Sequence, residues 1–60
     1  MMLKKELIDI VDFCKKKPRA EAIIELNHSG LDTMDCNILC ALFGMEIICG
    51  NGKIEDFRFI

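Results

Sequence analysis

The cysteines and the single histidine are the first candidates in this chain for zinc binding or thiol chemistry. Cys36 and Cys40 lie four residues apart, a spacing that would place both thiols on one face of a helix. Cys14, Cys49 or His28 could complete a tetrahedral zinc site with them. Structural zinc sites usually have paired cysteines on turns, however, and this chain also lacks a Cys-x-x-Cys redox motif. We therefore predict that the cysteines pack as small apolar side chains and that no metal or other cofactor is bound.

The other polar side chains do not form a recognisable catalytic pattern. The single histidine, His28, is adjacent to Ser29, and sequence neighbours seldom form a base–nucleophile hydrogen bond. Gly50-Asn51-Gly52 is typical of a hairpin turn and is not followed by the helix that a phosphate-binding glycine loop requires. A chain of 60 residues also rarely encloses a substrate pocket of roughly 300 Å³. These observations predict that the protein is not an enzyme.

Basic side chains in two parts of the chain are candidates for contact with nucleic acid. They lie around the first helix boundary and in the predicted hairpin: Lys15, Lys16, Lys17, Arg19, Lys53 and Arg58. The charge pattern disfavours this function, because no Lys or Arg lies between Arg19 and Lys53 and the net charge is −2. A solvated helix C-terminus is sufficient to explain the first group. Nucleic-acid binding is therefore the less favoured hypothesis.

A single domain must position these residues, since 60 residues leave room for one thin core. Hydrophobic residues make up 52% of the chain, which is more than such a core needs, so we expect some of them at the surface. Lys4, Lys5 and Glu6 occupy the place where the apolar region of a signal peptide would begin. No apolar run approaches the length of a membrane span. We expect a cytoplasmic protein with reduced thiols that does not bind a membrane.

Apolar residues at helical spacing predict three helices, over residues 3–17, 18–27 and 32–43. Pro18 ends the first helix and can open the second, since the first helical position leaves its N–H unpaired in any case. Gly30 is suited to a left-handed turn after the second helix. Asp32 and Asp35 resemble a capping box at the start of the third helix. The second half of that helix, residues 38–43, is apolar on all sides and is predicted to be enclosed.

The remaining residues predict a β-hairpin, with strands over residues 45–49 and 53–60 and a turn at Asn51-Gly52. In this register Cys49 faces Ile54, and Ile48 faces Glu55. A two-stranded hairpin alone is marginally stable, and the edges of this one carry little protection. We expect it to pack on the helices or to pair an edge with another chain. The predicted fold class is α+β, with three helices followed by a C-terminal hairpin.

This element order resembles that of the winged-helix family, and the resemblance covers most of the chain. It implies that residues 18–27 and 32–43 form a helix-turn-helix, with Gly30 in the turn. The hairpin around Asn51 and Gly52 would then be the wing.

In a DNA-binding member of that family, the third helix reads the major groove. The resemblance implies that residues near Thr33, Cys36 and Asn37 would enter the groove, while Lys53 or Arg58 would contact phosphate. The two aspartates that open this helix would then face phosphate and repel it. A winged-helix shape used for protein contacts is the favoured interpretation, since a fold does not fix a function.

The favoured function is therefore a small, non-enzymatic regulatory or adaptor module that contacts another protein or a second copy of itself. The candidate interface residues are large apolar side chains of the third helix and the hairpin: Leu39, Phe43, Ile48, Phe57, Phe59 and Ile60. Phe57 and Phe59 alternate along a strand and share one face. Ile38 and Leu42 are expected in the core. The alternatives are a winged-helix DNA-binding regulator and a zinc-stabilised interaction module.

Overall fold

A computed structural model describes residues 2–60 as three helices followed by a two-stranded antiparallel sheet. The helices are α1 (Lys4–Lys16), α2 (Arg19–His28) and α3 (Thr33–Phe43), and the strands are β1 (Met45–Gly50) and β2 (Lys53–Phe59). The predicted α+β fold class is confirmed, and each element ends within one residue of its predicted bounds.

α1 is an amphipathic helix whose apolar side lies in the core. Its buried residues recur at helical spacing, as predicted: Leu7, Ile10, Val11 and Cys14. Leu3 belongs to the same sequence pattern, but it lies at the N-cap before the first helical turn and stays exposed. Lys17 adopts an extended conformation (φ −100°, ψ 157°), as expected for a residue before proline, and this ends the helix.

α2 begins at Arg19, so Pro18 lies at the N-cap rather than at the first helical position that the sequence predicted. The helix continues to His28, one residue beyond its predicted end at Asn27. Asn27 stays helical while its side chain bonds to β2, a long-range contact that local sequence preference does not report. Gly30 has a φ of 73°, which is the left-handed turn predicted for it.

α3 begins with the predicted capping box between Asp32 and Asp35. The Asp35 N–H donates to the Asp32 carboxylate at 2.8 Å, and the Asp32 N–H donates to the Asp35 carboxylate at 3.3 Å. Asp35 also accepts the Met2 N–H at 3.1 Å, which ties the N-terminal segment to α3. Because Asp35 is fully buried, it cannot face phosphate as the winged-helix resemblance implied. Gly44 ends the helix in the left-handed conformation, with a φ of 65°.

The hairpin turns at Asn51 and Gly52, as predicted. Both residues have positive φ, 53° and 75°, which is what a two-residue turn of this kind requires. The strands leave the turn in the predicted register, with Cys49 opposite Ile54.

One step further from the turn, the predicted register is wrong. Ile48 pairs with Asp56 rather than with Glu55, because the register shifts between Ile48 and Cys49. Glu55 is the extra residue of a bulge on β2. Gly50, which has no side chain, leaves the space that the Glu55 carboxylate occupies. A bulge of one residue depends on this tertiary fit and has no strong signature in the sequence.

The core forms where the three helices meet one face of the hairpin. The buried apolar residues of α2, α3 and the strands complete it together with those of α1: Ala22, Leu26, Leu39, Met45, Ile54 and Phe57. On the outer face of the hairpin, Arg58 and Glu46 form an ion pair between directly opposite positions of the two strands.

The expectation that the second half of α3 is enclosed is wrong. Cys40 and Ala41 are exposed, and Leu42, which was expected in the core, is 64% exposed. α3 contacts α1 and β1, and these contacts bury Leu39. Other parts of the helix surface stay exposed. A helix that is apolar all round is therefore covered here on part of its surface.

The outer edge of β2 is covered by side chains of α2. The Asn27 amide donates to the Ile54 carbonyl and accepts the Ile54 N–H, both at 2.9 Å, in the manner of a neighbouring strand. Arg19 donates to the Phe57 carbonyl at 2.9 Å and forms an ion pair with Asp56. The prediction of poorly protected hairpin edges is therefore wrong for β2.

Three helices followed by an antiparallel hairpin are compatible with a winged-helix-like arrangement. An exposed apolar surface lies on α3, and a cavity lies at the junction of α1 with β2.

Candidate functional site

α3 exposes a row of apolar side chains along one side, hereafter the α3 flank: Met34, Ile38, Ala41 and Leu42. Intervals of three and four residues place these side chains next to one another on a helix. Met34 is 56% exposed and Leu42 is 64% exposed, Ala41 is also exposed, and Ile38 is half-buried. The row runs along most of the helix.

The α3 flank is available because other sides of α3 supply the internal packing. Asp35 and Leu39 are fully buried, and Phe43 packs partly against the core. Asp35 is the only charged residue of α3, and it is enclosed. The flank therefore carries no ionic group that a partner would have to desolvate on contact.

Exposed apolar residues also lie near both ends of α3. Leu3 follows Met2, whose N–H donates to Asp35, and it is therefore placed near the first turn of α3. At the other end, the Ile60 N–H donates to the Gly44 carbonyl at 2.7 Å, directly after the helix. Leu3 and Ile60 are among the most exposed large apolar residues of the chain.

The structure divides the interface residues that the sequence predicted. Leu39 and Phe57 lie in the core, at 0% and 5% exposure, so they offer no surface to a partner. The others are exposed at least in part: Phe43, Ile48, Phe59 and Ile60. Sequence reasoning did not single out Met34 and assigned Leu42 to the core, although their spacing with Ile38 was a usable signal for one helix side.

The candidate metal ligands do not converge. Cys36 and Cys49 line one cavity of about 350 Å³, while Cys40 and His28 are exposed on their helices. Within residues 2–60, no group of three or more His, Cys, Asp or Glu side chains is arranged to hold a metal ion. Burial raises the pKa of Cys36, and it raises the pKa of the Cys14 thiol to about 11. A raised pKa makes these two thiols less reactive as nucleophiles than an exposed cysteine.

The adjacent histidine and serine are not arranged as a base and a nucleophile. The Ser29 hydroxyl donates to the Glu25 carbonyl in the last turn of α2, and His28 is exposed on the same turn. This is ordinary back-bonding of a helical serine. The prediction that the protein is not an enzyme stays a prediction.

The first group of basic residues converges on a cavity. Lys15 and Lys17 at the end of α1 and Arg19 at the start of α2 line a cavity of about 330 Å³. Cys14, Phe57 and Phe59 line it as well, and we refer to it as the basic–aromatic cavity. Lys16 is exposed on α1 but is not part of this lining.

The second group of basic residues lies elsewhere. Lys53 lines the cavity of Cys36 and Cys49, and Arg58 pairs with Glu46 on the outer face of the hairpin. The basic side chains that the winged-helix resemblance assigned to phosphate contact are therefore distributed over different surfaces.

Cations lie against aromatic rings in the basic–aromatic cavity. The Lys15 ammonium lies 5.6 Å from the centroid of the Phe59 ring, and the Arg19 guanidinium lies 5.4 Å from that of Phe57. The two rings meet edge to face, with their centroids 5.9 Å apart. Their contact confirms that Phe57 and Phe59 share one face of the hairpin.

Comparison with known proteins gave no match to a family model, a curated protein or a solved structure. No helix in residues 2–60 is long and apolar enough to cross a membrane.

Proposed function

We propose that the protein is a non-enzymatic interaction module that associates with a second copy of itself through the α3 flank. The observation that carries this proposal is the exposed apolar row on a helix whose only charge is buried. Contiguous apolar surface of this kind usually marks a site of protein contact. A regulatory or adaptor role follows from such an interface if a further protein competes for it or binds beside it.

Self-association is supported by the chemistry of the flank. Two copies of an uncharged helix side can pack against each other without burying an unpaired charge. The alternation of larger and smaller side chains, with Ala41 between Ile38 and Leu42, offers ridges and grooves for helix–helix packing. The exposed Leu3 and Ile60 would lie at the rim of the contact.

The same features make duplex DNA a poor partner for α3. The exposed residues of the helix include Thr33, Met34, Asn37 and Ala41, and none of them is basic. Affinity for DNA comes largely from neutralising phosphate, which this surface does not do. We therefore do not extend the proposal to a recognition helix.

A charge placed in the α3 flank tests the proposal. Leu42→Asp should raise the dissociation constant of the homodimer by about tenfold or more, because each dimer would bury two unpaired carboxylates. Ile24→Asp is the matched control, since Ile24 is 57% exposed and lies on α2, which packs on α1 and β2. Sedimentation equilibrium over a range of concentrations measures both constants, and circular dichroism confirms that each variant is folded.

Either of two results would contradict the proposal. A wild-type protein that is strictly monomeric at about 1 mM has no meaningful affinity for itself. An equal loss of association in the Leu42→Asp and Ile24→Asp variants would place the interface elsewhere or show that association is non-specific.

A further inference from the structure

The basic–aromatic cavity is independent of the α3 flank and has a different chemistry. It forms where the end of α1 and the start of α2 meet the last residues of β2. Lys17 and Pro18 turn the chain sharply between the two helices, so that Lys15, Lys17 and Arg19 lie around one opening. Its volume of about 330 Å³ is near the lower limit of small-molecule sites.

The positive charges around the cavity are not compensated to the same extent by neighbouring groups. Arg19 is held by Asp56 and by the Phe57 carbonyl, so part of its charge is compensated. Among residues 2–60, no carboxylate forms an ion pair with Lys15 or Lys17. Lys15 lies against the Phe59 ring, which does not neutralise its charge, so both ammonium groups can still attract an anion that enters the cavity.

The aromatic side chains add a second requirement. Phe57 is buried and Phe59 is 39% exposed, so Phe59 is the ring that an incoming ligand can reach. A planar ring can stack on an exposed phenyl group, whereas an isolated carboxylate gains nothing from it. Paired cations beside an accessible ring are the combination by which proteins bind single nucleotide units.

We propose that the basic–aromatic cavity binds a nucleoside phosphate unit, with the base against Phe59 and the phosphate between Lys15 and Lys17. The unit belongs either to a free nucleotide or to a single-stranded nucleic acid, which share this chemistry. Duplex DNA does not fit, since its bases are stacked inside the helix and present no free face.

Binding experiments on the full chain separate the two sources. Adenosine monophosphate and a short oligothymidylate are titrated into ¹⁵N-labelled protein at low salt, and the shifts of amide resonances near Phe59 are followed. Tighter binding of the oligonucleotide, with a steep salt dependence, identifies a single strand. Equal affinity of the two probes identifies a free nucleotide.

Two substitutions test the assigned contacts. Phe59→Leu keeps an apolar side chain but removes the stacking surface, and it should weaken binding by about tenfold. Lys15→Gln should weaken binding by about threefold and reduce its salt dependence. Lys5→Gln is the control, because Lys5 is an exposed lysine on the first turn of the same helix and should leave affinity unchanged within about twofold.

The proposal is overturned if neither probe binds at low salt. It is also overturned if inorganic phosphate or an oligoglutamate peptide binds as tightly as the nucleotides and Phe59→Leu has no effect. In that case the lysines attract anions in general and the ring takes no part. Equal losses in Lys15→Gln and Lys5→Gln would likewise show a non-specific charge effect.

Discussion

α2 and α3 both pack against the hairpin and both bury apolar side chains in the core, but α2 adds polar contacts at the edge of β2. α2 covers the edge of β2 with polar side chains, chiefly the Asn27 amide on the backbone of Ile54 and the Arg19 guanidinium beside Asp56. α3 contacts β1 and α1 while placing Leu39, which is 0% exposed, in the core. We refer to these polar contacts between α2 and the edge of β2 as the polar seam. The polar seam and the apolar contact of α3 attach the same two-stranded sheet to the helices.

The difference indicates what each contact contributes. Burial of a leucine contributes several kilocalories per mole, whereas an intramolecular hydrogen bond contributes roughly 1 kcal/mol because water can replace it. Because α2 buries Leu26 in the same core as Leu39 of α3, we expect the apolar contacts of both helices to supply most of the stability of the junction. The polar seam instead occupies backbone groups of β2 that would otherwise be open to another strand. The edge of β2 is therefore less open to another strand, whereas the α3 flank stays exposed.

The largest effect is expected from the apolar contact. Leu39→Ala removes a fully buried side chain and should lower the free energy of unfolding by about 2–5 kcal/mol. A domain of this size is expected to have only about 3–9 kcal/mol in total, so the variant will be close to unfolding. Urea denaturation measures the change, and Leu42→Ala on the exposed flank serves as the control, with an expected change of about 0.5 kcal/mol or less. Similar losses in both variants would contradict the assignment of the two leucines.

A smaller but more localised effect is expected from the polar seam. Asn27→Ala leaves the Ile54 N–H and carbonyl without their partners on α2 and should lower the free energy of unfolding by about 1–2 kcal/mol. Water can reach these backbone groups from the exposed side of α2, and this limits the loss. Hydrogen exchange of the Ile54 amide should accelerate more than that of Leu39, which marks the change as local. Asn37→Ala, on the exposed side of α3, is the matched control. If Ile54 exchange is unchanged, the amide bridge does not protect the strand edge.

The sequence was sufficient to predict the local elements, because each has its own signal. Pro18 separates the first two helices, the Asp32–Asp35 capping box opens the third, and Asn51-Gly52 dictates the turn. Each of these signals acts over a few residues, where backbone sterics and capping hydrogen bonds decide the conformation.

Features that depend on distant residues were not predictable in the same way. The sequence predicts the end of the second helix near Asn27, but it does not report that the Asn27 side chain bonds to Ile54 of β2. The apolar half of α3 was read as enclosed because composition does not report how many neighbours a helix has. The basic cluster was recognised, but its convergence with Phe57 and Phe59 required the packing of α1 against the hairpin.

The smallest effect concerns the charge in the polar seam and its dependence on pH. A hydrogen bond from the Phe57 N–H and the neighbouring Arg19 lower the pKa of Asp56 below its ordinary value of 3.8. Because the pKa is lower in the folded state, the carboxylate stabilises the fold above about pH 4, and this contribution is lost as the pH falls through the folded pKa.

Asp56→Asn keeps an oxygen acceptor for the Phe57 N–H and removes only the charge. The variant should be slightly less stable than the wild type at pH 7 and equal to it in strong acid, and added salt should narrow the gap, since the ion pair is exposed. Thermal denaturation of both proteins between neutral and acid pH measures the convergence. Parallel curves across that range would mean that the charge of Asp56 contributes nothing to the seam, leaving the hydrogen bonds to the backbone of β2 as its only basis.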